Sequence, residues 1–261
     1  MKPRQLPGIA RGAIVMAMAF SIAPGAMAGE NNGTIYTGKA VRLGNGTAHT
    51  VVRADAGGKA VSIGVVLTEK ALEGLPAAPN GASTDFPFLL PMPAKGPKTV
   101  VDHVVVNWNP QGHPPPKIYE VPHFDFHFYL RSPAYQKKVR FKSDAESGDP
   151  RQQPAAELLA AGYVVPPGTA VSKMGAHAIN PASPEFNGQP FTATFIYGYH
   201  NKQLTFLEPM AALDFLKSKP AFSAPVSRPA KYLKAGAYPS SYSVKYDNAA
   251  RSYVVSLEGL Q

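Results

Sequence analysis

The chain has 261 residues, with 26 Lys and Arg against 17 Asp and Glu, and it contains 27 Pro, 23 Gly and no Cys. So much proline and glycine breaks a chain into short segments, which argues against a helical bundle. The absence of cysteine excludes disulfides, thiol nucleophiles and blue-copper ligation, and it leaves any metal site to histidines and carboxylates. The length suffices for one large domain with a real core.

The N-terminal segment has the pattern of a secretory signal peptide. Three basic residues, at positions 2, 4 and 11, surround or precede an apolar stretch, 12–23, and Ala26-Met27-Ala28 fits an A-x-A cleavage site. We therefore expect residues 1–28 to be removed and the mature chain to be periplasmic or secreted. The apolar stretch is shorter than the ~20 residues that span a bilayer, so no membrane span is expected. Export also makes nucleic acid an unexpected partner.

The first part of the mature chain predicts antiparallel strands. Turn signals alternate with β-branched runs and indicate strands at 34–41, 47–54 and 59–67. Thr68 is the expected N-cap of a short helix over 69–75. Residues 77–98 are predicted to be a loop packed over the domain, because they carry large apolar side chains among many prolines. Another strand is expected at 100–108.

The rest of the chain extends this β-rich pattern. The predicted elements are a basic strand with a solvated face at 136–142, a short helix at 155–161, strands at 191–199 and 204–208, a helix at 210–216, and a terminal hairpin of 242–246 with 252–257. The hairpin is either an appendage or an edge of the main sheet. We expect a mainly β (β-rich α+β) fold, with antiparallel sheets forming a sandwich or barrel-like domain at 29–219 and a C-terminal extension at 220–261.

One stretch, Pro122 to Tyr129, combines aromatic residues with metal-ligand residue types. Its composition predicts a β-strand, in which successive side chains point to opposite faces. His123, Asp125 and His127 then share one face, and the phenylalanines at 124, 126 and 128 share the other. We expect the phenylalanines to enter a core while the other face presents two imidazoles and a carboxylate, which are ligands of transition metals such as zinc.

The spacing along this strand limits which side chains can share an ion. In a flat strand His123 and His127 stand ~13 Å apart. Either the strand bends or bulges, or a closer pair forms the clamp, namely His123 with Asp125 or Asp125 with His127, each ~7 Å apart. Neighbouring strands or loops must complete the site in every case.

Three further residues join the candidate ligand set. His113 lies in a proline-rich turn before this strand, and His177 lies in a predicted loop. Glu208 lies at the end of an apolar strand, where a buried carboxylate needs a partner. The histidines at 49, 103 and 200 are expected to be structural. The predicted site is a divalent metal centre, most suited to zinc, formed by His113, His123, His127, His177 and Glu208, with Asp125 as general base, ligand or orienting group.

Four segments together resemble an uncharacterised family of secreted bacterial proteins with a domain of unknown function. They are Trp108-Asn109-Pro110-x-Gly112-His113, the stretch Pro122-His123-Phe124-Asp125-Phe126-His127-Phe128-Tyr129, Met174-Gly175-x-His177, and Phe206-Leu207-Glu208-Pro209-Met210. The resemblance covers about residues 33–216. It implies one exported, histidine-centred domain and no particular activity. The family's aromatic residue after the later histidine is Ala178 here, which opens one wall of the site.

Two main function classes follow from these observations. The first is a periplasmic protein that binds a divalent transition metal, with Lewis-acid activation of water or of a carbonyl as its chemistry if it is an enzyme. The alternative is a non-enzymatic envelope protein that self-associates and in which the histidines form a structural patch. A small-molecule binding protein with aromatic pocket walls is a third reading. The sequence has no G-x-S-x-G, phosphate-binding glycine loop or H-E-x-x-H motif.

Overall fold

A computed structural model of the protein describes Met1, residues 33–78 and residues 85–261. Apart from Met1, the predicted signal peptide at 1–28 lies outside the described residues. The described chain is mainly β, with 14 strands in two antiparallel sheets and 2 short α-helices. The predicted fold class is therefore confirmed. Among the described residues, no helix combines the length and apolar character needed to cross a membrane.

The first sheet contains strands from both ends of the described chain. Its strands are β1 (Thr34–Thr37), β2 (Val41–Leu43), β3 (Gly46–Ala54), β4 (Ala60–Thr68), β12 (Ala221–Pro225), β13 (Ser241–Asp247) and β14 (Ser252–Glu258). The spatial order is β1-β3-β4-β14-β13-β12, with β2 paired to β3. The C-terminal hairpin β13–β14 thus lies inside this sheet, hydrogen-bonded to β4 on one side and to β12 on the other.

The second sheet contains the middle of the chain and carries the stretch from Pro122 to Tyr129. Its strands are β5 (Phe86–Pro91), β6 (His103–Asn109), β7 (His123–Tyr129), β8 (Ala170–Val171), β9 (Gly175–Ala178), β10 (Ala193–His200) and β11 (Gln203–Ala212). The spatial order is β5-β6-β7-β11-β10-β9-β8, so β7 lies near the centre. The α-helices are α1 (Pro133–Gln136) and α2 (Leu213–Lys217), and 3₁₀ turns occupy Glu69–Leu72, Asp144–Gly148, Ala156–Leu158 and Pro184–Asn187.

The main hydrophobic core unites apolar side chains of both sheets. The three phenylalanines of β7, at 124, 126 and 128, are fully buried in it, together with Val65 and Leu67 of β4 and Val255 and Leu257 of β14. Burial of each such side chain contributes roughly 1.5–3 kcal/mol to folding. One face of β7 is therefore committed to the core, as the alternation of its sequence predicts, and the opposite face is left for the polar residues.

Several predicted elements differ from the structure near the chain's turns and prolines. The predicted strand at 34–41 is two strands, β1 and β2, which pair with opposite ends of β3. Part of the predicted loop at 77–98 is the strand β5, which tolerates Pro87 and Pro91 because it lies at a sheet edge, where one side needs no partner. Thr68 makes no N-cap bond, since its hydroxyl accepts the Thr47 N–H instead.

Other differences lie in the second half of the chain. The predicted basic strand at 136–142 is instead the end of α1 and irregular chain, and the predicted loop around His177 is the strand β9. The predicted partner strand does not end at Pro209, because β11 continues to Ala212. The predicted helix at 210–216 accordingly starts only at Leu213.

Candidate metal centre

The strands β7 and β11 place His127 and Glu208 directly opposite each other. Phe206 pairs with Tyr129 and Met210 with Asp125, so the register is constant across this stretch and Glu208 faces His127. Opposed side chains on neighbouring antiparallel strands have Cβ atoms only ~4.5–5.5 Å apart. The His127 Nε2 and Glu208 Oε1 atoms are 3.3 Å apart, and both side chains are 1% exposed.

His177 reaches the same place from two strands away. On β10, Gly198 pairs with His177 of β9 on one side and with Phe206 of β11 on the other. A Cβ atom at Gly198 would lie 2.0 Å from the Phe206 ring, so only glycine lets this ring lie across β10. His177 packs on Phe206 with ring centroids 5.1 Å apart, and its Nε2 lies 3.8 Å from Glu208 Oε2. We call His127, His177 and Glu208 the Glu208 triad.

A second group surrounds Asp125, two residues before His127 on the same face of β7. The His123 Nε2 lies 3.1 Å from Asp125 Oδ1, and the His113 Nε2 lies 3.4 Å from Asp125 Oδ2. The two imidazole rings meet edge to face, with centroids 4.7 Å apart. We call His113, His123 and Asp125 the Asp125 triad. In each triad, one ligand atom from every residue lies within 4.8 Å of the others.

Backbone carbonyls fix the orientation of three of the four imidazoles. The Nδ1–H groups of His113, His123 and His177 donate to the carbonyl oxygens of Pro114, Val121 and Thr169, at 2.7, 2.7 and 2.9 Å. With the proton on Nδ1, the lone pair of each neutral ring is on Nε2, which is the atom that faces the carboxylate. This outer hydrogen bond is typical of metal-binding histidines, because it sets the tautomer and the ring orientation.

The atoms at the centre of each triad lack hydrogen bonds. Among the described residues, no partner is found for both ring nitrogens of His127, for Glu208 Oε2, for His123 Nε2 or for Asp125 Oδ1. A buried polar atom without a partner costs about 1–3 kcal/mol, so such atoms are rare in native proteins and need a physical explanation. Here five such atoms lie within the two triads, and two of them, His123 Nε2 and Asp125 Oδ1, are 3.1 Å apart.

The two carboxylates have opposite electrostatic environments. Burial, together with the nearby charge of Asp125, raises the pKa of Glu208 well above its usual 4.5. Burial would also raise the pKa of Asp125, but the adjacent His123 and His113 outweigh it and hold this pKa well below 3.8. Burial lowers the pKa of His127 to about 3 and that of His177 to about 4, so both imidazoles are neutral at pH 7.

Apolar side chains cover the polar face of the sheet. A second, smaller cluster contains Tyr119, Phe191, Ile196, Met210 and Ala212, and it packs beside His123, whose ring meets that of Phe191 at 5.4 Å. The Tyr119 hydroxyl donates to Glu185 at 3.0 Å, which holds the segment around Tyr119 against the chain that follows β9. His113, with 31% of its side chain exposed, is the most accessible of the six triad residues.

The structure brings together all six residues that the sequence singles out, but in two groups. His123 and His127 do not share a group, in agreement with the distance argument for a flat strand, and of the two closer pairs it is His123 with Asp125 that forms. Asp125, the predicted general base, contacts both histidines of its own triad and accepts a hydrogen bond from Asn109 at 2.7 Å. Sequence reasoning does not single out Asn109, although two asparagines at alternate positions of the mostly apolar β6 are a signal for polar partners on that face.

Two of the three remaining histidines have other side-chain contacts. His103 is buried and its two ring nitrogens lie 2.9 and 2.8 Å from Asp102 and Gln136. His200 is hydrogen-bonded to Tyr135 at 2.9 Å. Neither residue belongs to a triad.

Comparison with known proteins gives one similarity. A model of the family described as "TTHB210-like: Hypothetical protein TTHB210" matches residues 55–108. This segment includes β4, β5 and most of β6, and it ends before the first of the six triad residues. No curated protein and no solved structure matches the chain. Over about a fifth of its length, the chain is thus similar to an uncharacterised family, and the similarity assigns no role to either triad.

Proposed function

We propose that the protein binds a divalent transition metal ion, zinc being the best-suited one, through His127, His177 and Glu208. The observation that carries the proposal is the state of His127. Both of its ring nitrogens are buried without a partner in the described chain, and its Nε2 faces a Glu208 carboxylate that is equally buried. A cation bound between the two side chains would satisfy His127 Nε2 and the Glu208 carboxylate together, and among these atoms it would leave only His127 Nδ1 without a partner in the described chain.

The ligand set fits zinc by residue type and by distance. Two imidazoles and one carboxylate are the protein ligands of several catalytic zinc sites, which keep a fourth position for water or substrate. Calcium and magnesium prefer sites formed by oxygen atoms alone. Ligand atoms of a tetrahedral zinc stand ~3.4 Å apart, from bonds of ~2.0–2.1 Å. The triad atoms lie within 4.8 Å of one another, so the side chains need to move together by up to about 1.4 Å (4.8 − 3.4).

The alternative reading is a proton in place of the metal. Because burial raises the pKa of Glu208, its carboxyl group can remain protonated and donate a hydrogen bond to His127 Nε2. Like the metal ion, this proton satisfies His127 Nε2 and leaves Nδ1 without a partner in the described chain. It corresponds to a structural histidine patch, so the two readings differ in whether the purified protein contains a metal.

The proposed setting is the bacterial periplasm or the exterior, which rests on the signal-peptide pattern at 1–28. A cysteine-free chain suits that setting, since imidazoles and carboxylates do not oxidise there. Asp125 is assigned a role in holding His113 and His123 rather than that of a free general base, because both of its oxygens already face polar neighbours.

Metal analysis of the untagged, exported protein tests the proposal. We expect at least one equivalent of zinc or another transition metal, removable by a chelator and restored by adding zinc. His177→Ala should contain one metal equivalent less, because it lacks one of the three ligands. His177 is the least buried member of the triad, so its removal disturbs packing least. His49→Ala, a change in the other sheet, is the matched control and should keep the wild-type content. Less than a tenth of an equivalent in wild type, with no thermal shift on adding zinc, would contradict the proposal.

A further inference from the structure

The Asp125 triad has features of a metal site that the Glu208 triad does not explain. Its three residues come from β7 and from the chain segment before it, and they share no side chain with the Glu208 triad. Asp125 and His127 are two residues apart on one strand, so their Cα atoms are separated by ~7 Å. Two separate ions, one at each triad, therefore fit the same face of β7.

The imidazoles of the Asp125 triad face the carboxylate with the wrong atoms for a neutral hydrogen-bonded cluster. The Nδ1–H groups of His113 and His123 are already donated to backbone carbonyls, which leaves only a lone pair on each neutral Nε2. Both Nε2 atoms nevertheless point at Asp125 oxygens, at 3.4 and 3.1 Å. Two acceptors at such distances repel each other, so positive charge must lie between them, supplied either by a second proton on each imidazole or by a metal ion.

The outer contacts of this triad are also those of a metal site. Asn109 donates from its Nδ2 to Asp125 Oδ2 at 2.7 Å, which leaves Oδ1, an atom without a hydrogen-bond partner in the described chain, to face His123. A carboxylate held through one oxygen and free at the other is oriented for coordination. Phe191 and Tyr119 pack beside the two imidazoles and limit their movement.

We propose that the Asp125 triad is a second site for a divalent transition metal, and that it exchanges its ion more readily than the Glu208 triad does. Two nitrogen ligands and one carboxylate suit zinc, and their number leaves positions open for water or a small anionic ligand. His113 is 31% exposed, against at most 15% for any member of the Glu208 triad, so solvent and chelators have a shorter path to this ion. This inference adds a second site to the proposed function.

Titration of the chelator-treated protein with Zn²⁺ alone, followed by calorimetry and by metal analysis, tests the second site. Wild type should bind about two equivalents. His113→Ala should bind about one equivalent, because it lacks a ligand of the Asp125 triad. His113 is 31% exposed, so its removal disturbs the core little. Asp125→Asn should also bind about one equivalent, and it keeps the shape of the side chain. His49→Ala should keep two equivalents. Far-ultraviolet circular dichroism checks that each variant is folded.

The pattern of losses separates this inference from the proposed function. If wild type binds one equivalent that is lost in His177→Ala and kept in His113→Ala, the second site is refuted while the Glu208 site stands. If the single equivalent is lost in His113→Ala and kept in His177→Ala, the second site stands and the Glu208 site is refuted. Binding of no zinc refutes both. The difference in exchange is tested in wild type loaded with two equivalents. A chelator should remove the ion of the Asp125 triad at least about tenfold faster than the ion of the Glu208 triad. Equal rates for the two ions would overturn the proposed difference in exchange.

Discussion

His127 and Glu208 face each other across β7 and β11 with 3.3 Å between Nε2 and Oε1, in a place where neither side chain is more than 1% exposed. This pairing predicts that Glu208→Gln has effects of opposite sign with and without metal. Without metal, the buried carboxylate keeps its proton because its pKa is raised well above 4.5. Above pH 4.5 the carboxyl group is ionised in the unfolded chain but still protonated in the folded one, so folding takes up a proton. The metal-free wild type therefore loses stability as the pH rises from 4.5 through the raised pKa.

Glu208→Gln removes this loss, because glutamine stays neutral. In the chelated state we expect the variant to match wild type near pH 4.5 and to exceed it increasingly towards pH 8, by at most ~1.4 kcal/mol for each pH unit. With zinc at 100 times its dissociation constant, binding at this triad should raise the free energy of unfolding of wild type by ~2.7 kcal/mol. The variant should show no such increase. Urea unfolding at pH 5, 6.5 and 8, with chelator or with zinc, measures both effects. A variant less stable than wild type at pH 8 in chelator would contradict the assigned pKa.

The rings of His103 and His127 both stack on Tyr129, with centroid distances of 5.0 and 5.6 Å. Their different polar contacts predict different results for the same substitution. His103→Leu should cost about 1–3 kcal/mol, since it removes the contacts with Asp102 and Gln136, and should leave the metal content unchanged. His127→Leu should lose one metal equivalent. Metal analysis and urea unfolding of both variants give the comparison, and equal metal contents would argue against His127 as a ligand.

We expect Asn109 to strengthen metal binding at the Asp125 triad without being a ligand itself. Removal of its hydrogen bond in Asn109→Ala frees the carboxylate to rotate, and loss of such an outer contact typically lowers metal affinity by ~10–100-fold. Asn107→Ala is the matched control, because Asn107 is the cross-strand partner of Asp125 on the same face of β6 but donates its side-chain hydrogen bond to Asp85 instead. Calorimetric zinc titration of both variants should show weakened binding at one of the two sites in Asn109→Ala only. The same loss in both variants would point to a general effect on the sheet.

The position of β14 between β4 and β13 predicts that the C-terminal hairpin is required for folding. Leu257 is fully buried in the core between the sheets, so Leu257→Ala should reduce the free energy of unfolding by ~2–5 kcal/mol. Val254→Ala, on the same strand but only half-buried, should cost less than half as much. Urea unfolding of the two variants provides the test. A small effect at Leu257 would contradict the role of this strand in holding the core together.

The sequence was most informative where one face of a strand had to be buried. The bounds of β7 and the separation of its phenylalanines from its histidines follow from period-two alternation alone. The distance argument for His123 and His127 is also consistent with the two groups. Alternation cannot show which residue on another strand each ligand faces. β7 pairs with β11 and not with the next strand in the chain, and 73 residues (203 − 130) separate β7 from β11.

Prolines account for two of the differences between the predicted elements and the structure, at β5 and at the end of β11. The sequence predicts that a strand ends at Pro209, since proline cannot donate a hydrogen bond to a ladder. The structure accommodates it because the ladder between β7 and β11 shows no pairs at Glu208 and Pro209, while Pro209 remains paired with Phe195 of β10. Pro87 and Pro91 likewise led to the prediction of a loop where the structure has β5, which tolerates both prolines because it lies at a sheet edge. Whether a strand has one partner or two is a property of the whole sheet and is not encoded locally.

The three residues of the Glu208 triad also have a consequence for the unfolded chain. His127 and His177 are 50 residues apart in sequence (177 − 127), and His177 and Glu208 are 31 apart (208 − 177). Closing loops of this size removes conformational entropy from the unfolded state, by an amount that grows only slowly with loop length. In a chain without cysteine, an ion held by this triad would therefore act as a reversible cross-link between three distant strands, and its removal would be the counterpart of reducing a disulfide.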